Sequence, residues 1–558
     1  MPSLKFSIKP TLLVILFCCW VTCARGQDQQ RQQTQNGTTE IQEEDTLRIS
    51  TALIQTGVTV FDKQGRFVDR LGKEDFELRV DGHLVPVSFF ERIKAKGSEA
   101  ESIERDNAGL GSANEPAAAG RGRTVIFFVD DLHLSQDSTK RARDLIRRFI
   151  DREAEPDDLA AIASSSGKIG FLQQFTNDAA VLRAATERLR YNRDMSASDR
   201  QYPTMSEYEA LLIDRNDSEV LGKFIGIYLK EGLALDADEA ANEIHSRARS
   251  ILQEAAIYAK NTYAALELLV RRSAQIPGRK IVFFVSDGFF LDTVNTDASY
   301  QLRRITDAAA RANAVIYSFD AKGLDASLPD GTAATFRTQS GERWEFQDPL
   351  NALARDTGGR FIHNTNDLGA GVTKALEETS LYYLLAWQPD PENRGQDKFR
   401  NIEVGVKGRP DLLVRVQRGY LDEAAPPGNA QGKTGRAVTA APPTPESQLR
   451  AAFNSMLPRR ALPTSLVVNY LESPLEGPLV VLSIQIESDA VKFTATGEKV
   501  TADVDVVGAI FNSTGKREAY FNNRLTVNRP ASGPESSDHS DIYYNSQTKL
   551  KPGLYQVR

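Results

Sequence analysis

The chain has 558 residues, 68 Lys and Arg against 75 Asp and Glu, a net charge of −7 and three cysteines. That length suits three or four domains, and the mixed, slightly acidic charge supplies no basic field for phosphates, which excludes a nucleic-acid binder. Hydrophobic residues at 41% and charged residues at 26% exclude a wholly disordered or fibrous chain and leave room for disordered linkers.

All three cysteines, Cys18, Cys19 and Cys23, fall in one N-terminal segment. Lys5 and Lys9 precede the apolar run 11–23, and Ala24, Arg25 and Gly26 follow it. This is the layout of an export signal over residues 1–26, cleaved before Gln27. The alternative is an uncleaved N-terminal anchor. Lipidation at Cys23 would need a small residue before it, where Thr22 stands. No other stretch approaches about 18 uninterrupted apolar residues, so polytopic membrane insertion is excluded. The mature protein is expected to be secreted or periplasmic and free of cysteine, hence of disulfides, thiolate zinc sites and a cysteine nucleophile. His83, His133, His245, His363 and His539 are scattered without metal-ligand spacing.

Residues 27–44 are Gln-rich and polar, a disordered leader. Residues 45–95 alternate apolar and polar and are punctuated by Asp62-Lys63-Gln64-Gly65 and Asp81-Gly82, which predicts a small antiparallel β module. A linker follows over 96–120. Residues 121–385 then read as alternating buried strands and amphipathic helices. Strands are predicted at 124–129, 159–164, 169–175, 280–285, 314–319 and 360–363, and helices at 142–150, 179–189, 252–270, 299–312, 350–356 and from 372. A charged, helix-rich insertion occupies 191–250. The pattern predicts a doubly wound α/β domain with a mostly parallel sheet. Residues 386–421 return to strands, as an extension of the sheet or a small β cap. Residues 422–446 are a linker rich in Ala, Pro and Gly, and 447–558 suggest a β-sandwich, expected to be truncated.

In an open α/β sheet, ligands bind beyond the carboxyl ends of the strands. Asp130 directly follows the first strand of the domain, and Asp287, with Gly288, follows the strand 280–285. These aspartates, the VFFVSDGF run and the αβ alternation resemble a von Willebrand factor type A domain. The flanking runs GVTVFDKQGRFVDRLGKEDFELRVDG (57–82) and YYLLAWQPDPENRGQDKFRNIEVGVKGRPDLLVRVQRGY (382–420) resemble those of bacterial VWFA-related proteins of the Acidobacteria type. The resemblance spans about residues 46–420 and implies non-enzymatic binding of a protein partner through a metal-ion-dependent adhesion site. In such a site Mg²⁺ or another divalent cation is held by an Asp-x-Ser-x-Ser loop, a Thr and a further Asp, and the partner's carboxylate completes the shell.

Here Leu132 and Leu134 stand at the two serine positions. Asp130 and Asp287 match, Thr262 is the candidate for the threonine, and Asp131 and Ser135 are possible substitute oxygen ligands. The competing reading makes Asp130 and Asp287 sheet-end carboxylates satisfied by helix N-termini, with His133 a solvated loop histidine. The other function classes are a metal-dependent enzyme or its accessory subunit, and a structural envelope protein without a ligand site. The run Gly428 to Thr434 has three residues between its glycines where a phosphate-binding loop needs four, so it reads as linker.

Overall fold

The computed structural model describes residues 53–94, 122–191, 201–290, 298–324, 333–389, 398–422, 462–473, 477–496, 499–512, 516–530 and 541–558. The expected signal, leader and linkers, the Gly428 to Thr434 run and the expected start of the last β domain lie outside them. Among the described residues no helix is long and apolar enough to cross a membrane.

In chain order the first strands are β1 (Ile54–Phe61), β2 (Phe76–Val80), β3 (His83–Val85) and β4 (Phe89–Lys94). The α/β domain follows with β5 (Thr124–Val129), α1 (Gln136–Arg148), β6 (Leu159–Ser164), α2 (Ala179–Arg188), α3 (Glu207–Asp214), α4 (Ser218–Lys230), α5 (Ala237–Ser273) and β7 (Lys280–Ser286). It continues with α6 (Ala298–Ala312), β8 (Ala314–Asp320), α7 (Ala333–Asp356), β9 (Phe361–Ile362) and α8 (Leu368–Thr379). The strands β10 (Leu381–Trp387), β11 (Lys398–Val406), β12 (Leu413–Arg415) and β13 (Gly419–Asp422) come next. The last module holds β14 (Thr464–Ser473), β15 (Gly477–Ile486), β16 (Thr494–Thr496), β17 (Lys499–Asn512), β18 (Arg517–Pro530), β19 (Ile542–Lys549) and β20 (Tyr555–Val557).

The α/β sheet has the order β6-β5-β7-β8-β9, and every neighbouring pair is parallel. Strands this apolar need cover on both faces, and they have it. Val125, Phe127, Val129, Phe283 and Phe319 pack under α1, α2 and α8, while Ile126, Phe128, Val282, Phe284 and Ile316 pack under α5, α6 and α7. The fold is therefore mixed α/β with a doubly wound parallel sheet, accompanied by antiparallel sheets. The expected strand at 169–175 is instead a 3-10 turn, Gly170–Leu172, and Thr176 alone bridges to Ala160. Gly167 and Gly170, both with positive φ, turn the chain too sharply there for a ladder to form.

The two β segments that flank this domain in sequence are one structure. One four-stranded sheet runs β12-β1-β10-β4 and the other β13-β11-β2-β3, so each mixes strands from before and after the α/β domain. The boundary expected at residue 385 cuts through β10, because Leu381–Trp387 is one strand that pairs with β1 on one side and β4 on the other. Their shared core is built on Val58, Val60, Phe76, Tyr383 and Leu385. Arg415 Nη1 reaches Glu378 Oε2 at 2.7 Å, and the Leu421 N–H donates to Asp307 at 2.8 Å, which ties these sheets to α8 and α6.

The insertion folds as α3, α4 and the first half of α5 around Tyr208, Leu211, Phe224, Ile244, Ala248 and Leu252. Its expected end at residue 250 falls inside α5. The helix is continuous because its apolar stripe simply changes partner, from the insertion core to the sheet at Ala259, Tyr263, Leu266 and Val270. The C-terminal module is made of two sheets, β14-β15-β19 and β16-β17-β18, with β20 added to β17.

Candidate functional site

The parallel order changes direction between β5 and β7, one βα unit leaving on each side of β5. That is the switch point at which strand ends splay apart and ligands sit in this class of sheet. Asp130 leaves β5 there and Ser286 and Asp287 end β7. Alternation along the strands sets their directions. Asp130 and Ser286 point to the α5 face, and Asp287 points to the N-terminus of α1.

The Asp130 carboxylate is wholly buried. One oxygen accepts from Ser165 Oγ and from Thr262 Oγ1, each at 2.8 Å. The other accepts from Ser286 Oγ at 2.8 Å and lies 2.7 Å from His133 Nδ1. A carboxylate offers about four lone-pair sites, and all are taken by protein groups. Burial by itself would raise the Asp130 carboxyl, but the His133 charge and the bonds from His133, Ser165 and Ser286 outweigh it and hold it below the usual range. Burial by itself would lower His133, and the Asp130 charge and hydrogen bond outweigh that and raise it. The two therefore form a buried ion pair.

His133 was expected in solvent. Its side chain is 5% exposed and lies against the Phe289 ring at 4.9 Å, which shields the pair from water. Phe289 and Phe290 follow Gly288, whose φ of 90° lets the chain turn under α7, where a Cβ would lie 2.2 Å from the Phe346 carbonyl oxygen. Phe290 then enters the core of the insertion and meets the Phe346 ring at 4.4 Å. The strand ends are thus closed by the helical insertion.

Thr262 does reach Asp130, from within α5 and without a glycine loop. Asp287 accepts from the Ser135 N–H at 2.9 Å, so for this residue the helix N-terminus is the partner. Its other oxygen is buried without a hydrogen bond, and burial raises its carboxyl more than the bonds from Ser138 and Ser135 lower it. Asp130 and Asp287 share no hydrogen-bonding partner.

The substitute ligands do not serve. Asp131 turns to Ser166, whose N–H donates to it at 2.9 Å and whose hydroxyl also bonds it. The Ser135 hydroxyl caps α1, accepting from the Ser138 N–H. Leu134 is buried in the core under α1. Among the described residues no three His, Cys, Asp or Glu side chains converge as metal ligands. These residues do not fit a resident divalent cation, because the one central carboxylate is saturated and a histidine already supplies its positive charge.

His133 Nε2 is buried without a partner, so no nucleophile stands on the Asp130–His133 pair as catalysis through a histidine base requires. His133, Ser165 and Ser286 are the residues that sequence reasoning missed. The signal for His133 was its position, three residues beyond Asp130 in the same loop. In comparison with known proteins, no family model matches the chain and no curated protein sequence matches it.

Proposed function

We propose that this is an exported, non-enzymatic protein-binding protein whose α/β domain is of the von Willebrand factor A type and works without a metal. The observation that carries the reading is the Asp130 carboxylate bound by His133, Ser165, Thr262 and Ser286 at the sheet's switch point. The sequence motifs point to an adhesion domain, and the chemistry of this cluster replaces the ion such a domain would carry with an internal imidazolium. A buried cation of this kind holds the strand-end loops together but offers nothing to a partner's carboxylate. Recognition then falls to the surface that closes the strand ends, the helical insertion of α3, α4 and the first half of α5. The unpartnered Nε2 of His133 favours binding over catalysis.

The test is crosslinking capture of partners from the native envelope with and without EDTA, and with the insertion surface changed at Leu235, which is 93% exposed. Capture unaffected by EDTA and lost in Leu235→Glu is the expected result. Capture abolished by EDTA would overturn the metal-free reading, and capture indifferent to the insertion would move the contact elsewhere.

A further inference from the structure

The end of the parallel sheet opposite Asp130 carries a second buried cluster, and this one is built from cations. Arg279 immediately precedes β7 and Arg360 immediately precedes β9, so both stand where these strands begin. Arg415 ends β12, and Glu378 comes from the last turn of α8. The buried Glu378 carboxylate accepts from Arg415 Nη1 at 2.7 Å, from Arg360 Nη2 and from the Tyr317 hydroxyl at 3.4 Å. Burial raises the Tyr317 hydroxyl, and the charges of Glu378, Arg279, Arg415 and Arg360 all act on it, which gathers the four around one buried phenol. Three guanidinium groups against one carboxylate leave two positive charges in excess.

Arg279 carries the least compensated of these charges. Its guanidinium carbon lies 4.6 Å from the centre of the Tyr382 ring and against the backbone of β1, where a Cβ on Gly57 would approach it to 3.6 Å. Its Nε and Nη1 are buried without an acceptor, as is Nε of Arg360. Among the described residues no carboxylate pairs with Arg279: burial lowers it, and only the Tyr317 and Tyr382 hydroxyls act the other way. A guanidinium keeps its proton inside a protein. The Tyr382 ring offsets part of the charge and leaves the N–H groups unbonded. Buried donors with no acceptor in the chain call for one from outside it, and the excess charge makes that acceptor an anion.

We propose that this cluster binds a small oxyanion of the phosphate class between Arg279 and Arg360, which takes up their free N–H groups. The doubly charged phosphate present above about pH 6 matches the two excess charges, and guanidinium forks suit its paired oxygens. Entry is from the Arg360 side, where that side chain is 31% exposed. Because Arg279 packs on β1 and β10 and Arg415 belongs to β12, the bound anion would also fasten the α/β domain to the sheets beside it. The cluster lies at the far end of the sheet from the Asp130–His133 pair and does not depend on the reading of that site.

The test is thermal unfolding of the full chain in sodium phosphate against sodium chloride of equal ionic strength at pH 7.5, with calorimetric titration of inorganic phosphate and glycerol phosphate. The parent should bind phosphate and unfold about 3 °C later at saturation. Arg279→Gln removes an unpaired buried charge, so it should unfold no earlier than the parent in chloride, lose the phosphate shift and bind at least about tenfold more weakly. Arg147→Gln, whose guanidinium is already held by Asp144 and Glu187, should keep the shift. Glycerol phosphate binding as well as phosphate would assign the site to a phosphorylated ligand, and phosphate binding alone to the free ion. No phosphate heat in the parent, or the same shift in Arg279→Gln, would overturn the proposal. So would an Arg279→Gln chain that unfolds earlier by one margin in both salts, since Arg279 would then act only through Tyr382.

Discussion

Thr262 and Asp130 are 132 positions apart and share a 2.8 Å hydrogen bond that joins α5 to the residue that follows β5. Through it, α5 is fixed both to the sheet and to the buried ion pair that Asp130 makes with His133.

That pair makes stability depend on pH with a definite sign. His133 is raised in the folded protein, so its contribution is complete below its unfolded value of about 6.5 and is lost as pH rises through the folded value. Asp130 is lowered, so its share is present above its unfolded value and is lost as pH falls through the folded one. Asp131, Asp287 and Glu207 are raised by burial and also lose stability with rising pH, Glu207 more so once the His133 charge that lowers it is removed. Urea unfolding of His133→Asn, which keeps a donor and loses the charge, should therefore show a shallower fall above pH 6.5 than the parent. His133→Ala, which strands the buried carboxylate, should cost about 3–5 kcal/mol at pH 6.

Divalent cations should leave the protein unchanged. A site filled at a hundred times its dissociation constant stabilises by about 2.7 kcal/mol. Calorimetric titration with Mg²⁺ and Mn²⁺ should give no binding heat, and thermal unfolding should not shift. Heat that disappears in Asp287→Ala would show that an ion binds through Asp287 and would overturn the metal-free reading.

The turn at Gly288 should tolerate no side chain. Gly288→Ala sets a Cβ against the Phe346 carbonyl at a φ of 90° and should destabilise by about 3 kcal/mol. Phe290→Ala should cost about 3–5 kcal/mol and speed proteolysis within residues 207–236, since its ring sits in the core of the insertion. Cleavage unchanged in that stretch would mean the insertion is held by α5 alone.

Tyr383 should matter through its hydroxyl as well as its ring. It is fully buried, donates to the Val68 carbonyl at 2.9 Å and accepts from the Leu71 N–H at 3.2 Å. Tyr383→Phe leaves both backbone groups short of a partner and should cost about 1–3 kcal/mol in chemical denaturation.

Periodicity made the parallel sheet readable, because strands such as Thr124–Val129 are apolar on both faces and alternate with striped helices. It could not show that β1 pairs with β10, since pairing across a whole domain leaves no local pattern. At the site, Asp130, Thr262 and Asp287 were found from strand-end position and motif. Their bonding was not. His133 and Ser165 enter from loops, and whether such a side chain turns to solvent or to a buried carboxylate depends on Phe289 and the insertion that cover it.

The interleaving of β1 to β4 with β10 to β13 also sets an order of events during synthesis. Val58 lies opposite Tyr383, so the first strands leave the ribosome long before their partners, at about 5–20 residues per second. For that interval β1 lacks both of its neighbours, β10 and β12, and β2 has only β3, which leaves apolar edges of the kind that recruit foreign strands.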